Sequence, residues 1–383
     1  MSHDAPDDSA DSRDAIVRPP VVVNSPPSGR KFPCGQCGAR LDYNPGERNL
    51  KCPYCGHSQE ITADTSNVIE RDFEAYLAHM GKEQSQLPGH TNEIDCGGCG
   101  AKVLLDDTVV TERCPYCNTH LTTEPHAAAV MIQPESLLPF QVQKGEAVAA
   151  FQKWIQSLWF APTRLKVLAL LGRLNGIYTP YWTYDSMTYS AYTGQRGDNY
   201  TVTVRDSEGK SRTETRTRWT WVSGQINHFF DDVLVCGSRS MPAKLIKKLQ
   251  SWKLGDLENF QPDFLSGFTT ERYVVDLREG FDEAKSIMDD EIRSLIRQDI
   301  GGDHQRIDSV ETAHVGVTFK HILLPLWITS YQFKDKTYQV LVNGQTGEVA
   351  GDRPWSIWKI IRLVLLIAAA IGGIVALVQT FKG

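Results

Sequence analysis

The residues best suited to chemistry in this sequence are cysteines, and their spacing is that of two metal sites. Eight of the nine cysteines form four Cys-x-x-Cys pairs, and 14 residues separate the two pairs of each set. Two facing Cys-x-x-Cys knuckles surround a Zn²⁺ ion with four thiolates at about 2.3 Å, which leaves no open coordination position. The pattern therefore predicts two structural zinc ions. The predicted ligands are Cys34, Cys37, Cys52 and Cys55 in the first set and Cys96, Cys99, Cys114 and Cys117 in the second.

Other interpretations of these pairs stay open at this point. A redox dithiol needs one Cys-x-x-Cys rather than two spaced quartets, whereas iron in a rubredoxin-like site fits the same Cys-Pro-Tyr-Cys knuckles as zinc. Disulfides are disfavoured because residues 1–31 are acidic and rich in Pro and Ser, without an apolar signal-peptide core, which favours a reducing compartment. The ninth cysteine, Cys236 in the run VLVCG, is expected to be a small buried hydrophobe rather than a reactive thiol.

The elements that must position these ligands repeat along the chain. The segment FPCGQCGARLDYNPGERNLKCPYCGHSQEI aligns with IDCGGCGAKVLLDDTVVTERCPYCNTHLTT at an offset of 62 residues. We expect two tandem zinc ribbons at 32–62 and 94–124, each with one β-hairpin between its knuckles. They follow a disordered acidic tail at 1–31. The linker 63–93 is predicted to hold an amphipathic helix, whose apolar residues are Val68, Ile69, Phe73, Tyr76, Leu77 and Met80.

The segment 132–352 is predicted to form a mixed α+β domain rather than a regular βαβ array. One helical stripe contains Val148, Phe151, Ile155 and Leu158, PAKLIKKLQSW forms a second helix, and a third is expected at 282–299. The strands are expected in a hairpin turning at 206–210 and in HILLPLWITSYQF and KTYQVLVNGQTGEVAG, with a turn at Asn343-Gly344. YTPYWTYDSMTYSAY and LLPLWITSYQF share a Pro-x-Trp step, either by chance or because the domain contains two related β units.

A transmembrane helix is predicted at 360–381. No charged residue lies between Leu363 and Phe381, and 19 residues of helix span about 28 Å, close to the hydrocarbon thickness of a bilayer. Trp355 and Trp358 lie where an interfacial aromatic belt belongs, and the cations cluster on the N-terminal side of the span. The pattern predicts a single-pass protein of the bacterial inner membrane, with its N-terminal domains in the cytoplasm. The alternative is a buried core helix.

The sequence contains no convincing catalytic motif, and we predict that the protein is not an enzyme. Gly209-Lys210-Ser211 imitates the end of a P-loop, but Val204 stands where the first glycine is required. Two polar clusters are interpreted as solvated loops: His228 with Asp231 and Asp232, and Asp303 and His304 with Asp308 and His314. The strand SRTETRTRWTW alternates arginines with Thr and Trp, which indicates either a half-buried strand or a contact surface for phosphate or acidic lipid.

Several segments together resemble one protein family. The paired CPYC knuckles, FDDVLV, QDIGGDHQRI, TFKHILLPLW and VNGQTGEVAGDRPWS resemble bacterial membrane-anchored zinc-ribbon proteins over about 32–358. These are often labelled TFIIB-type zinc-ribbon proteins or, misleadingly, primosomal protein N′ or helicase-like. The resemblance implies an adaptor at the inner membrane with protein partners of the phage-shock-protein-A or SPFH membrane-stress type. It implies no catalytic residues.

The preferred hypothesis is therefore a membrane-anchored, cytoplasm-facing adaptor or scaffold in envelope maintenance. The first rival is a nucleic-acid-binding protein that uses its ribbons on DNA or RNA. A net charge of −6 and the acidic residues within both ribbons disfavour it. The second rival is an enzyme whose site lies in the α+β domain.

Overall fold

The computed structural model describes residues 32–62, 64, 66–79, 84–86, 92–105, 113–121, 124–162, 174–205, 210–249, 251–333 and 336–380. The side chains of 331–337 and 375–380 are not described. The predicted tail 1–31, Met80 of the predicted linker helix and the hairpin turn 206–209 lie outside these residues. Within them the architecture is mixed α+β, as the sequence predicts.

The first cysteine unit, residues 32–62, builds its own small sheet. Strands β1 (Asp42–Tyr43), β2 (Asn49–Lys51) and β3 (Ser58–Glu60) pair antiparallel in that order. This hairpin between the knuckles confirms the strand prediction for the unit. Tyr43 fixes it to the rest of the protein, because its N–H donates to the Ser266 carbonyl at 2.9 Å and its ring meets Phe264 edge-on at 5.2 Å.

The linker helix is shorter than predicted. Strand β4 (Arg71–Asp72) pairs with a later strand at Thr318 and Phe319, and helix α1 (Phe73–His79) starts directly after it. The Asp72 carboxylate accepts the N–H of Ala75 at 2.7 Å and so caps the helix. Val68 and Ile69 therefore precede the helix rather than belonging to it. Sheet pairing at 71–72 prevents an earlier start.

The second cysteine unit, residues 92–121, belongs to the central sheet. Its strands β6 (Asn92–Asp95) and β7 (Lys102–Leu105) form a hairpin, and β7 pairs with β14 (Thr269–Glu271) at Leu104 and Val103. Strand β8 (His126–Ala127) pairs with β6 at this end of the sheet, and β10 (Ser136–Leu137) and β13 (Glu258–Asn259) lie at the opposite end. Strands β5 (Gln84–Ser85) and β9 (Met131–Ile132) form a separate two-stranded sheet. Hydrogen-bonded pairing thus crosses the sequence boundary expected between 94–124 and 132–352.

Three very long strands dominate the central sheet. These are β11 (Asn175–Arg205), β12 (Ser211–Cys236) and β15 (His304–Phe333), with β11 in the middle and antiparallel to both of the others. Strand β16 (Lys336–Asn343) pairs antiparallel with the last part of β15, and β17 (Val349–Gly351) pairs with β16. The last paired residues beside the hairpin turn are Arg205 and Ser211, so the predicted hairpin is confirmed. At about 3.4 Å per residue, β11 is about 100 Å long.

Five α-helices and two short 3₁₀ helices, Leu254–Asp256 and Pro262–Leu265, are present among the described residues. Besides α1, the α-helices are α2 (Lys144–Ser157), α3 (Ala243–Ile246), α4 (Leu277–Ile300) and α5 (Ile357–Thr380). Helix α2 buries the predicted Phe151 and Ile155. Helix α3 is a single turn, much shorter than PAKLIKKLQSW suggested, because the chain turns at 247–248.

Helix α4 covers one face of the long sheet. The carboxylate of Asp276 accepts the N–H of Glu279 at 2.8 Å, which caps the helix before Leu277 and five residues ahead of the predicted start at 282. The C-terminal end agrees with the prediction, because Gly301 adopts a φ of +63° there. Its buried stripe recurs every four residues and contacts the sheet through Ala284, Met288, Ile292, Ile296 and Ile300.

The three-stranded part of the sheet that α4 covers on one face is called the blade, and it comprises residues 186–197, 219–230 and 304–315. The other face of the blade, which α4 does not cover, is open to solvent, and on it Tyr189, Phe229 and Val315 are 47%, 57% and 51% exposed. Beyond it, 198–205 and 211–218 continue as a two-stranded ribbon. Strand β12 pairs with β11 alone among the described strands, so the outer edge of the blade is unpaired.

The interpretation of the two polar clusters as solvated loops is wrong for most of their residues, which lie on strands. His304, Asp308 and His314 lie on β15, and His228, Asp231 and Asp232 lie on β12. Only Asp303 lies in a loop, directly before β15. Alternating polar and apolar residues in these segments are the pattern of strands with one solvated face. His314, for example, packs edge-on against Phe281 of α4, and its pKa is lowered mainly by burial and also by the nearby charge of Lys285.

The shared Pro-x-Trp step marks a local twofold relation in the sheet. Pro180 of β11 pairs with Leu323 of β15, and Pro325 of β15 pairs with Tyr178 of β11. Exchanging the two Pro-x-Trp segments therefore leaves the register unchanged. The same exchange relates β12, which pairs with β11 and contacts α4, to β16, which pairs with β15 and contacts α2. These relations favour two related β units over a chance match.

Candidate metal centres

Each predicted cysteine quartet converges on a point. In the first, the sulfur atoms of Cys34 and Cys55 and those of Cys37 and Cys52 are 3.5 Å apart. In the second, Cys96 and Cys117 are 3.5 Å apart and Cys99 and Cys114 3.6 Å. All four sulfurs of each set lie within 4.8 Å of one another. A tetrahedron with metal–sulfur bonds of about 2.3 Å has edges of about 3.8 Å, so both quartets fit one four-coordinate metal ion.

Local backbone conformation aims these thiols. Directly after a knuckle's second cysteine, Gly38, Gly56 and Gly100 adopt φ values of +71°, +76° and +75°. The corresponding N–H groups donate to the carbonyls of Cys34, Cys52 and Cys96 at 2.8–3.1 Å, which closes the knuckle. Asn118, at φ +61°, takes this role in the fourth knuckle. Glycine and asparagine tolerate this left-handed conformation best, so the residue after each knuckle allows the backbone to turn around the metal site.

At least one thiol in each quartet ionises more readily than an isolated cysteine. The backbone N–H of Cys55 lowers the pKa of Cys52 to about 6, and a hydrogen bond from the thiol of Cys99 lowers the pKa of Cys114 to about 5. Metal ligation requires thiolates, and these lowered pKa values favour the ionised form that a cation would bind. Cys236 behaves in the opposite way: it is partly buried outside both quartets, and burial raises its pKa to about 12, as expected of an unreactive thiol.

The same Cys-Pro-Tyr-Cys knuckle has opposite surroundings in the two sites. Tyr54 of the first is 83% exposed, whereas Tyr116 of the second is completely buried. The Tyr116 hydroxyl donates to the Glu271 carboxylate at 2.7 Å, and Glu271 also accepts from Ser238 at 2.9 Å and from Ser240. Burial raises the pKa of Glu271 to about 7. The second site is thus attached to the central sheet, whereas the first presents its knuckle to solvent.

This contrast predicts unequal effects of one conservative substitution. Tyr116→Phe removes a donor from a buried carboxylate and should lower the unfolding free energy by about 1–3 kcal/mol. Tyr54→Phe, the matched control in the same motif, should change it by less than about 0.5 kcal/mol. Chemical unfolding of the detergent-solubilised chain, followed by tryptophan fluorescence, measures both. Equal losses would contradict the proposed attachment of the second site.

A third group of possible ligands is occupied by ion pairs. Glu93, Asp95 and His126 bring their ligand atoms within 4.8 Å of one another. However, the guanidinium of Arg272 donates to both Glu93 oxygens at 2.7 and 3.1 Å, and Asp95 pairs with Lys102 at 3.0 Å. Positive partners already balance these carboxylates, so the group links β6 to Arg272, the residue directly after β14.

Sequence reasoning missed a buried ionic cluster at the base of the blade. The Lys320 ammonium lies 2.7 Å from Asp232 and 2.9 Å from Glu70, and Asp185 is 3.9 Å away. Asp232 adopts a φ of +52° at the point where the pairing of β11 with β12 shifts register, and its N–H donates to Asp185. A lone lysine inside the apolar run TFKHILLPLW was the available signal. The cluster connects Glu70 of the linker to the register shift between β11 and β12 at Asp232.

Helix α5 is long and apolar enough to cross a membrane. Its window Ile357–Ile374 has a mean hydropathy of 2.1, and none of that window is buried inside the protein. Leu365 and Leu366, for example, are 64% and 59% exposed. The alternative of a buried core helix therefore does not hold.

Comparisons with known proteins show that the chain is similar to a protein with no described activity. No protein-family model matches the chain. YdjG, an uncharacterized protein of Bacillus subtilis (strain 168), is 25% identical to it over 338 residues, which cover 86% of this chain and 91% of YdjG. No solved structure matches. The similarity thus extends over nearly the whole of both proteins and assigns no substrate or partner.

Proposed function

We propose that the chain is a membrane-anchored, cytoplasm-facing adaptor of the bacterial zinc-ribbon type, with two structural zinc ions and a partner protein bound to its blade. The four-thiolate ligand sets support zinc, since Cys₄ sets at this spacing are typical of structural zinc sites. The function in envelope maintenance, with phage-shock-protein-A-type or SPFH-type partners, follows from the family resemblance.

The observation that carries this proposal is the open face of the blade. Tyr189, Phe229 and Val315 are each about half exposed on it. Phe229 and Val315 pair with Met187 from its two sides, next to Tyr189, so the side chains form a contiguous apolar patch of the kind that marks an interaction site. Beside them lies a groove of about 470 Å³ lined by Tyr189, Gln225, Asn227 and Glu311 among others. The adjacent edge of β12 offers unpaired backbone groups to an incoming strand. An apolar centre with a polar rim is the composition of a protein interface.

Membrane attachment rests on α5. The helix contains 24 residues, and at 1.5 Å per residue it is about 36 Å long, enough for a bilayer core. Arg353, Lys359 and Arg362 lie on its N-terminal side. An excess of cations on that side favours a cytoplasmic location for everything that precedes the helix.

The nucleic-acid hypothesis is the weaker one. The arginines of the first cysteine unit have partners within the protein: Arg48 forms an ion pair with Glu258, and Arg40 lies 3.6 Å from Asp42. On the two-stranded ribbon that continues the blade at 198–205 and 211–218, Arg216 pairs with Glu214 at 3.2 Å. Phosphate binding needs cations that can exchange their counterions for phosphates, and a phosphate at these arginines would lie beside the carboxylates that they contact.

Photo-crosslinking in cells tests the adaptor. With benzoylphenylalanine at Phe229, on the open face, we expect a crosslinked species that protease removes and nuclease leaves intact. The matched control is the same probe at Glu291, an exposed residue of α4 on the covered side, which should give no such species. A product at Phe229 that nuclease removes would favour the nucleic-acid hypothesis. Equal yields at both positions would contradict a specific partner site on the blade.

A further inference from the structure

Exposed aromatic side chains gather where the folded domain meets α5. Trp358, in the first turn of α5, is 81% exposed, and Trp355, just before the helix, is 57% exposed. The third is Trp159, which is 83% exposed and lies two residues after the end of α2. Nearly 200 residues separate it from the other two in sequence, so its position is a product of the fold.

Hydrogen bonds hold the Trp159 segment against the start of α5. The ammonium of Lys359 donates to the carbonyl of Ala161 at 2.7 Å and to that of Trp159 at 3.4 Å. The N–H of Ser356 donates to the carbonyl of Phe160 at 2.8 Å. The ring of Phe160 stacks on Trp355 with centroids 6.2 Å apart. Trp159 therefore lies level with the first turn of α5.

That level is the one at which a spanning helix enters the headgroup region. The charge-free part of α5 begins at Leu363, and Lys359 and Trp358 precede it by about one turn. Tryptophan favours this boundary because its ring is apolar and its N–H is polar. In water, a tryptophan that is 83% exposed gains nothing from burial, whereas at the boundary its ring leaves water.

We infer that Trp159 inserts into the lipid headgroup–acyl boundary beside Trp355 and Trp358, so that the folded domain contacts the membrane surface at a second point besides α5. This inference rests on the proposed membrane span. Two connected contacts restrain the tilt of the domain, whereas a helix alone would leave the domain free to swing. The blade is then presented to its partner in a limited range of orientations relative to the bilayer.

Quenching by brominated lipid tests the contact on the full chain. The protein is reconstituted in phosphatidylcholine–phosphatidylglycerol vesicles, with or without bromine at carbons 6 and 7 of the acyl chains. Bromination quenches only tryptophans at the boundary, of which the inference places three among nine. Trp159→Phe should therefore reduce the fluorescence lost on bromination by about one third, since three belt residues share the quenching. Trp221→Phe, which removes a 74% exposed tryptophan of the blade, should leave that loss unchanged.

The outcomes separate this inference from the proposed span. If the wild type loses fluorescence on bromination and Trp159→Phe loses as much, Trp355 and Trp358 are in the membrane and Trp159 is not. That result overturns the lipid contact and leaves another protein or a second copy as the occupant of Trp159. If the wild type shows no loss at all, the span itself is wrong and the inference fails with it.

Discussion

Replacing Cys114 with serine is expected to remove the second metal ion and to destabilise the whole central sheet. Structural zinc contributes about 10–16 kcal/mol to the folding of zinc-finger peptides near pH 7, so loss of one ligand should lower the unfolding free energy by more than about 5 kcal/mol. The unmodified chain, with all eight ligand cysteines, should retain two metal ions and the variant one. Elemental analysis of protein never exposed to chelator measures this, and zinc should be the metal found.

The loss should spread because the second site shares its apolar core with the long strands. Ile94, Val103 and Tyr116 around this metal pack in one cluster with Ile177 of β11 and Leu326 of β15. The pairing of β7 with β14 adds backbone hydrogen bonds to the same junction. When the knuckle opens, the β6–β7 hairpin loses its anchor and the sheet loses an edge.

Cys52→Ser is the comparison variant and should act more locally. The first cysteine unit keeps its three strands in a separate sheet, and its knuckle is exposed at Tyr54. Hydrogen exchange by mass spectrometry should show deprotection of 32–62 in this variant, but deprotection of β11 and β15 as well in Cys114→Ser. Cys236→Ser, the control for removal of a thiol, should retain both metals. Equal deprotection of β11 and β15 in the two ligand variants would contradict a structural difference between the sites.

The metal quartets could be predicted from the sequence because their geometry is local. Cys-x-x-Cys fixes two sulfurs on one knuckle, and a glycine directly after the knuckle, as at positions 38, 56 and 100, is typical of the left-handed turns that the structure contains. The hairpin between β11 and β12 could be predicted for the same reason, since segments of alternating polar and apolar residues flank polar turn residues. In each case a few neighbouring residues decide the conformation.

The surroundings of the two sites could not be predicted in this way. Tyr54 and Tyr116 occupy the same place in identical Cys-Pro-Tyr-Cys motifs, yet one is exposed and the other buried. The difference comes from Glu271, which lies more than 150 residues away in sequence and reaches Tyr116 only in the folded chain. Trp159 and Lys359 illustrate the same limit. Contacts between distant segments leave no periodic pattern in either segment.

The errors in the α+β region also have a physical origin. The segment around His304–His314 reads as a loop because polar residues outnumber apolar ones, although a strand with one solvated face needs only every second residue to be apolar. Helix α4 begins at its Asp276 cap rather than at the acidic pair Asp282 and Glu283. Acidic residues complement the helix dipole throughout the first turns, so charge alone locates a start less accurately than a cap does.

Removing α5 is expected to transfer the protein from the membrane to the soluble fraction. A chain that ends after Trp355 keeps both cysteine quartets and all the strands, so it should retain two metal ions. It loses the 24-residue helix whose apolar side chains are exposed in the folded protein. Each central Leu, Ile or Val favours insertion by about 0.3–0.6 kcal/mol, and their sum supplies the attachment. Fractionation after alkaline extraction measures the change.

A second variant separates the span from the surface contact at Trp159. Leu366→Arg with Ile371→Arg keeps the length of α5 and the hydrogen bonds of Lys359, but each central arginine opposes insertion by about 2.5–3.5 kcal/mol. The double variant should also leave the membrane on alkaline extraction, although Trp159 and the belt residues are intact. Lys382→Gln, beyond the span, is the control and should stay membrane-bound. If the truncated chain still sediments with membranes at high salt, the domain has an attachment surface strong enough to act alone, and the single-span topology would have to be replaced by one in which the aromatic surface is the principal anchor.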